Sequence, residues 1–239
     1  TEEKKRAVNQ ELGVRIFGGF TRSLKQKSLA LIARKKYGDN KLEYPFFKNK
    51  PELKKFKSVV LRNSGGDFNK SNFRDGLMTH LATETGLVTQ AFQPVVVYIN
   101  GEYWGIQNLR EKINEHFIEA NFNVDKDSID IVRHRYDVQH GSSKEYHKLL
   151  KYLKKNTFET NEKVVELNQK MDIDNYLNHH ISEVFFDNQD ASGNIRYWRK
   201  KGETNQWSWI LFDMDLGFSI NSSKGYKPNT LKLFTCEKL

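Results

Sequence analysis

PVVVYINGEYWGIQNL, residues 94–109, joins two runs of β-prone residues through Asn100-Gly101. Both central residues of a tight type I′ turn need positive φ, which Asn and Gly adopt at little cost, so the segment predicts a β-hairpin. Upstream lie three more strand predictions: 14–17 (VRIF), 27–33 (KSLALIA) and 56–61 (FKSVVL), the first two separated by a loop that begins Gly18-Gly19. Before the hairpin the period changes. Phe73, Leu77 and Leu81 recur every four residues with Met78 and Ala82 beside them, which predicts a helix over about 71–85 with that stripe inward. Ser71 or Asn72 suits its start and Gly86 its end. Arg74 and Asp75 then fall near the edge of the buried face, within reach of a cleft or as an ordinary surface pair.

Downstream of the hairpin the pattern is mostly helical. Helices are predicted over 112–121, through Tyr146, Leu149, Leu150 and Leu153, over 162–169, and over 173–186. In the last, Ile173, Tyr176, Leu177, Ile181, Val184 and Phe185 form one face behind an Asp172 cap. Two strand-like runs follow, 195–199 and 207–212. A small sheet with one packed helix, joined near 109–112 to a mostly helical half, is an α+β, two-lobed arrangement, and ligands favour clefts at such junctions.

Composition narrows the function classes. The 239 residues are 37% hydrophobic and include 16 Phe, 10 Tyr and 4 Trp, enough apolar area for a packed core rather than a disordered chain. No apolar run approaches the ~20 residues that span a bilayer. The opening TEEKKRAVNQ lacks the apolar centre of a secretory signal, so a targeting segment is read as absent or removed. The single cysteine, Cys236, excludes an internal disulfide and a multi-cysteine zinc site. A net charge of +9 fits nucleic acid, nucleotide phosphates or an acidic protein as partner. The basic runs, such as Lys54-Lys55 and Arg199-Lys200-Lys201, are scattered and accompany no nucleic-acid-binding motif, which disfavours nucleic acid.

Three segments can carry chemistry. In FDNQDASGNIRYW (186–198) a helix delivers the chain into a polar loop holding Asp190 and, four residues on, Asn194. The carboxylate suits orienting or deprotonating a hydroxyl, and the amide oxygen suits holding a metal on a nucleotide. These are also ordinary turn residues. In WSWILFDMDLGF (207–218) an apolar run ends in Asp213-Met214-Asp215. Strand alternation would put both carboxylates on one side, able to share a hard divalent cation. In GGFTRSLKQK (18–27) two glycines allow backbone N–H groups near phosphates, and Arg22, Lys25 or Lys27 supplies charge. Arg62 ends the third strand before a Gly-rich loop, and Glu111 stands at the lobe junction, where it can touch a nucleotide or begin a helix. The histidines lack paired-ligand spacing, and His179 and His180 are read as helix-face residues.

The succession VRIFGGFTRSLKQKSLAL, LRNSGGDFNKSNFRDGL, VYINGEYWGIQNLREKI, NQDASGNIRYW and WILFDMDLGF, in that order from 14 to 218, resembles the CotH spore-coat kinase family. That resemblance implies an atypical protein-kinase fold using ATP with Mg²⁺ or Mn²⁺ to phosphorylate Ser or Thr of a protein substrate, at a spore coat or on secreted proteins. It implies that Lys27 meets the nucleotide phosphates, that Asp190 is the catalytic acid, and that Asn194 and Asp213 hold metal. Asp215 becomes a second ligand or structural partner, and Arg62, Asp75 and Glu111 occupy family positions of looser role. The sequence departs from the family at Ala191, where Trp is frequent, and at Gly19-Phe20-Thr21. More helix is also expected after KLFTCEKL, which makes the helical lobe read as truncated. A catalytically silent, kinase-like binding module of a cell envelope or spore coat is the competing reading.

Overall fold

The computed structural model describes residues 8–202, 206–218, 220 and 229–232; Cys236 lies outside them. In chain order the elements are β1 (Gly13–Phe17), β2 (Ser28–Ile32), β3 (Leu42–Glu43), β4 (Lys55–Phe56), β5 (Ser58–Arg62), α1 (Arg74–Leu81), β6 (Phe92–Ile99) and β7 (Glu102–Glu111). Then come α2 (Glu115–Phe122), β8 (Ile129–Arg133), β9 (Asp137–His140), α3 (Lys144–Lys155), α4 (Asn161–Asn168), α5 (Ile173–Phe185), β10 (Arg196–Lys200) and β11 (Ser208–Trp209).

The hairpin forms as its turn residues dictate: Asn100 and Gly101 have φ of 53° and 84°, and β6 and β7 pair antiparallel. These two strands complete an antiparallel five-stranded sheet in the order β1-β2-β5-β7-β6. A second antiparallel sheet, β11-β10-β8-β9, occupies the half expected to be mostly helical. Strands β8 and β9 were not legible from periodicity. The first four residues of β8 are all buried, so IDIVR shows no alternation, and its Asp130 is held by the Arg199 guanidinium at 2.8–2.9 Å. Alternation reappears in the packing. The Ile131–Trp198 pair faces α2 with Phe117 and Ile118, while the Val132–Tyr197 pair faces α3 with Tyr146 and Leu149.

Two helix faces depart from expectation. In α1, Met78 and Ala82 of the predicted stripe are buried as expected, but Phe73, Leu77 and Leu81 are exposed, and Asp75 and Thr79 complete the inward set. The inward set keeps the i, i+3, i+4, i+7 spacing, but one member is a carboxylate, which apolar periodicity does not count. Such a group can be buried only where it is paired, and Arg62 and Arg110 supply the pairing. The α1 start is held not by Ser71 or Asn72 but by Asp67, whose carboxylate accepts from the Ser71 and Arg74 amides at 3.1 Å. In α5, Asp172 caps as expected, accepting from Asn175 N at 3.0 Å. Its buried residues, however, are His179, Ser182 and Glu183, while Leu177, Ile181 and Phe185 are exposed. The strand predicted over 207–212 shortens to β11; Ile210 N still donates to Arg196 O at 3.0 Å, and the chain runs on buried through Phe212 to the partly exposed Asp213. Among the described residues no helix is long and apolar enough to cross a membrane.

Candidate active site

The end of β1, the β7–α2 joint, the end of β8 and the entry to β10 surround a cavity of about 900 Å³. Asn194 and Asp213 both line it. So do Arg15, Arg22, Arg62, Lys112, Arg133 and Arg196, against only two carboxylates, Glu115 and Asp213. Such an excess of cations around a concave wall focuses positive potential on the space and favours a polyanionic occupant. Repulsion among them is visible at Lys112, whose ammonium pKa is lowered by burial and then by Arg15. Burial likewise brings Arg196 down to about 10, although Asp213 opposes the shift. Its guanidinium donates to Ile113 O at 3.3 Å and stacks over the Phe212 ring.

The loop after α5 shapes one wall. Asp187 adopts a left-handed φ of 48° and turns the chain out of the helix. Asp190 then accepts at Oδ2 from Asn194 Nδ2, 2.8 Å away. That bond fixes the amide, committing its nitrogen to Asp190 and leaving its oxygen as the acceptor end. Gly193 leaves room for this carboxylate, since a Cβ would stand 2.6 Å from Asp190 Oδ1 and would displace it. Burial raises the Asp190 pKa, and the nearby Asp213 carboxylate adds to the rise. A raised pKa makes this carboxylate a better proton acceptor than an exposed one.

The opposite wall is a buried charge centre. Asp213 does not continue a strand; its φ is 63°, and a short 3-10 turn, Met214–Leu216, follows. Alternation therefore does not set the two carboxylates side by side. Arg62 does, since its Nη2 donates to Asp213 Oδ1 and, at 2.7 Å, to Asp215 Oδ2. Arg62 also lies 3.4 Å from Asp75 Oδ2, the same oxygen to which Arg110 donates. Burial works against the Arg62 charge, yet Asp213, Asp75 and Asp215 together hold it well above its ordinary value. For Asp215 burial prevails and pushes the carboxyl up, with Arg62 opposing. The Gly-rich loop closes on Asp215: Gly66 N donates to it at 2.8 Å, and a Cβ on Gly65 would stand 1.7 Å from its Oδ2. Asp213 thus fronts the cavity, while Asp215 is buried and held by Arg62 and Gly66 N.

The remaining predicted residues divide. Arg22 and Arg62 line the cavity, but Lys27 does not; its ammonium donates to Arg22 O at 2.7 Å and Leu24 O at 2.6 Å, closing the β1–β2 loop. Glu111 is buried and fully engaged. It accepts from Lys50 Nζ (3.0 Å), Ala91 N (2.8 Å) and Asn121 Nδ2 (2.8 Å), tying β7 to α2. Arg15, Lys112, Arg133 and Arg196 escaped sequence reading because nothing local distinguishes them from solvated surface charges.

Hard oxygen donors suit a hard divalent ion. Asp213 and Asn194 supply two, and among the described residues no group of three or more His, Cys, Asp or Glu converges on a metal position. That donor set fits an ion completed by phosphate oxygens, the usual mode of Mg²⁺ on a nucleotide. The sequence model described as CotH kinase protein matches residues 14–235. The chain belongs to the CotH kinase family. No curated protein matches it. The CotH match spans both sheets, the Gly-rich loop and both acidic segments, so the cavity lies wholly within the family region.

One buried acid behind this CotH cavity yields a stability prediction. Burial pushes Glu183 up from 4.5 to about 8; the hydrogen bond from Asn188 opposes the rise, and Asp213 and Asp190 add to it. The folded state thus keeps a proton that the unfolded state releases. The stability linked to this group is full below the unfolded pKa and is lost as pH rises to the folded one. Glu183→Gln does not titrate, so its melting temperature relative to wild type is expected to rise between about pH 5 and about pH 8. Thermal melts at both pH values check this, and a constant difference would show that Glu183 is ionised in the fold.

Proposed function

We propose that this CotH chain is an ATP- and divalent-metal-dependent protein kinase that phosphorylates Ser or Thr hydroxyls. We further read it as one catalytic domain, with an N-lobe of about 10–110 and a C-lobe of about 111–239, in a two-lobed, kinase-like arrangement. A single observation carries the reading: Asn194 and Asp213 front one cation-lined cavity, with Asp190 hydrogen-bonded directly behind Asn194.

In this reading Arg15, Arg22 and Lys112 bind and orient the triphosphate from the β1 and β7–α2 side. Bound between Asn194 and Asp213, a divalent ion would offset the charge that builds on the phosphates. Asp190 receives the proton of the acceptor hydroxyl as its oxygen bonds to the γ-phosphorus, while the bond from that phosphorus to the β–γ bridging oxygen breaks and ADP leaves. The proton then passes from Asp190 to solvent. Positioning and electrostatics supply most of the rate, which suits a site built from fixed charges. By family analogy the acceptor is a protein of a spore coat or secreted layer.

The silent-module reading draws on one observation, the engagement of Lys27 with loop carbonyls instead of the cavity. Incubation with γ-labelled and, separately, α-labelled ATP, with Mg²⁺ or Mn²⁺ and a generic protein acceptor, separates the outcomes. Acid-stable label from the γ position alone, lost in Asp213→Ala, is expected. Label from the α position would make the reaction nucleotidyl transfer. No label and no thermal shift with ATP and metal would favour the silent module.

A further inference from the structure

The buried face of α5 holds a carboxyl group that the proposed chemistry does not use. Glu183 is 0% exposed, and its Oε2 accepts from Asn188 Nδ2 at 2.7 Å. Asn188 is equally buried and sits where three segments meet. Its backbone N donates to Glu183 O at 3.1 Å, its carbonyl accepts from Ala191 N at 3.3 Å, and its Oδ1 accepts from Asp190 N at 3.3 Å. Its Nδ2 also lies 3.5 Å from Met214 Sδ, between the two acids of the Asp-Met-Asp segment. An amide with its nitrogen on Glu183 and its oxygen on the Asp190 N–H can take only one orientation.

We propose that Glu183 is a positioning residue for Asp190, acting through Asn188 to set the start of the loop that carries the catalytic carboxylate. The inference rests on the kinase reading for its consequence in turnover, but the hydrogen-bond relay stands on geometry alone.

Energetics argue that the group is kept for a reason other than stability. An acid buried beside two further carboxylates costs free energy that an apolar side chain at the same place would not. Its second oxygen lies 3.8 Å from His179 Nε2. Burial lowers that imidazole to about 3, so it is neutral and gives the carboxyl little ionic compensation. What the arrangement provides is a side-chain anchor inside the core, added to the backbone bonds that Asp187 N and Asn188 N make to the last turn of α5, and it alone holds the Asn188 amide by its nitrogen to the helix. Without the acceptor at Glu183 the Asn188 nitrogen keeps only the weak Met214 Sδ contact, and the amide's hold on Asp190 N loosens. Misplacement of a reacting group by ~1 Å costs on the order of 100-fold in rate.

The test uses the full chain with three substitutions. Glu183→Gln keeps an acceptor for Asn188 and turns its own amide toward His179. Glu183→Met fills the same volume without a hydrogen bond, and Glu183→Ala removes the group. Transfer from labelled ATP and amide hydrogen exchange over residues 187–194 are measured on each. Expected is a loss of about 100-fold in kcat for the Met and Ala variants with KM for ATP within about threefold, and recovery to within about threefold of wild type for Gln. Exchange at Asp190 and Ala191 should quicken in Met and Ala and return to the wild-type rate in Gln. If Ala fails to fold, the Met variant decides. Wild-type kcat and exchange in Glu183→Met would overturn the proposal, as would a Gln variant as impaired as Met. Should the wild type transfer no phosphate, the kinase reading fails while the exchange pattern still decides whether Glu183 sets the loop.

Discussion

Arg110→Met is expected to destabilise the fold by about 3–5 kcal/mol, the range typical of removing one partner from a buried ion pair. Arg110 is 2% exposed, and its guanidinium is held on several sides. It donates to Asp75 Oδ2 and to Thr79 Oγ1 at 3.2 Å, and it lies over the Phe92 ring. Asp75 is kept ionised against burial, with Arg110 the stronger and Arg62 the weaker of its two cations. The buried centre holds two cations, Arg62 and Arg110, against three carboxylates, Asp75, Asp213 and Asp215. Removing Arg110 leaves Arg62 alone to serve all three. Methionine keeps most of the aliphatic volume, so the loss reports the charge and its hydrogen bonds rather than a cavity.

Chemical denaturation gives the value, and Arg110→Met combined with Asp75→Asn isolates the pair. The double variant should be less destabilised than the sum of the two singles. A change below about 1 kcal/mol in Arg110→Met would mean that water or a shifted Arg62 already shields Asp75. The site would feel the loss too, because Asp75 Oδ1 accepts from Met214 N at 2.9 Å and so fixes the segment between Asp213 and Asp215.

What could be read from the chain was what depends on near neighbours. The Asn100-Gly101 turn declares itself in two residues, and the Asp172 cap in four. The acidic segments were found because carboxylates at the end of an apolar run are unusual wherever they fold. The α1 and α5 faces were misread for the complementary reason. Asp75 is inward because of Arg110, 35 residues on, and because of Met214, 139 residues on, and neither leaves a trace in helical periodicity. On the α5 interior Glu183 and His179 stand where apolar residues were expected, and Glu183 is held there by Asn188, beyond the end of the helix. Glu111 and Lys27 stand out by position along the chain, but their partners are loop carbonyls for Lys27 and Lys50, Ala91 and Asn121 for Glu111, so the sequence could not distinguish a nucleotide contact from a structural bond. The pairing of Arg62 with Asp213 and Asp215 across 151 and 153 residues converts two separately legible motifs into one site. Arg15, Lys112, Arg133 and Arg196 became significant only once the fold gathered them around the cavity.

Asp190→Asn is expected to lower kcat by about 10²–10⁴-fold, the usual contribution of a positioned general base, with ATP binding retained. The substitution is close to isosteric, so the loop should persist. Asn188 holds the Asp190 backbone N–H, a bond that side-chain chemistry at 190 does not touch. The new amide can still accept from Asn194 through its oxygen, which keeps the metal-side amide in place. What is lost is the ability to take a proton, and with it the negative charge that Asp213 and burial together make more basic. Asp213→Ala provides the contrast. It removes the one carboxylate fronting the cavity beside Asn194, and so should abolish both metal-dependent nucleotide binding and transfer. Turnover is measured with γ-labelled ATP, and binding by the thermal shift that ATP and Mg²⁺ produce. Asp190→Asn with a normal shift and absent turnover would place the acid on the acceptor hydroxyl. Near-normal turnover would remove Asp190 from that role and leave the cation-lined pocket, with Asn194 and Asp213, to act by positioning alone. Loss of both shift and turnover would instead make Asp190 part of the nucleotide site, holding Asn194 in the orientation that the metal requires.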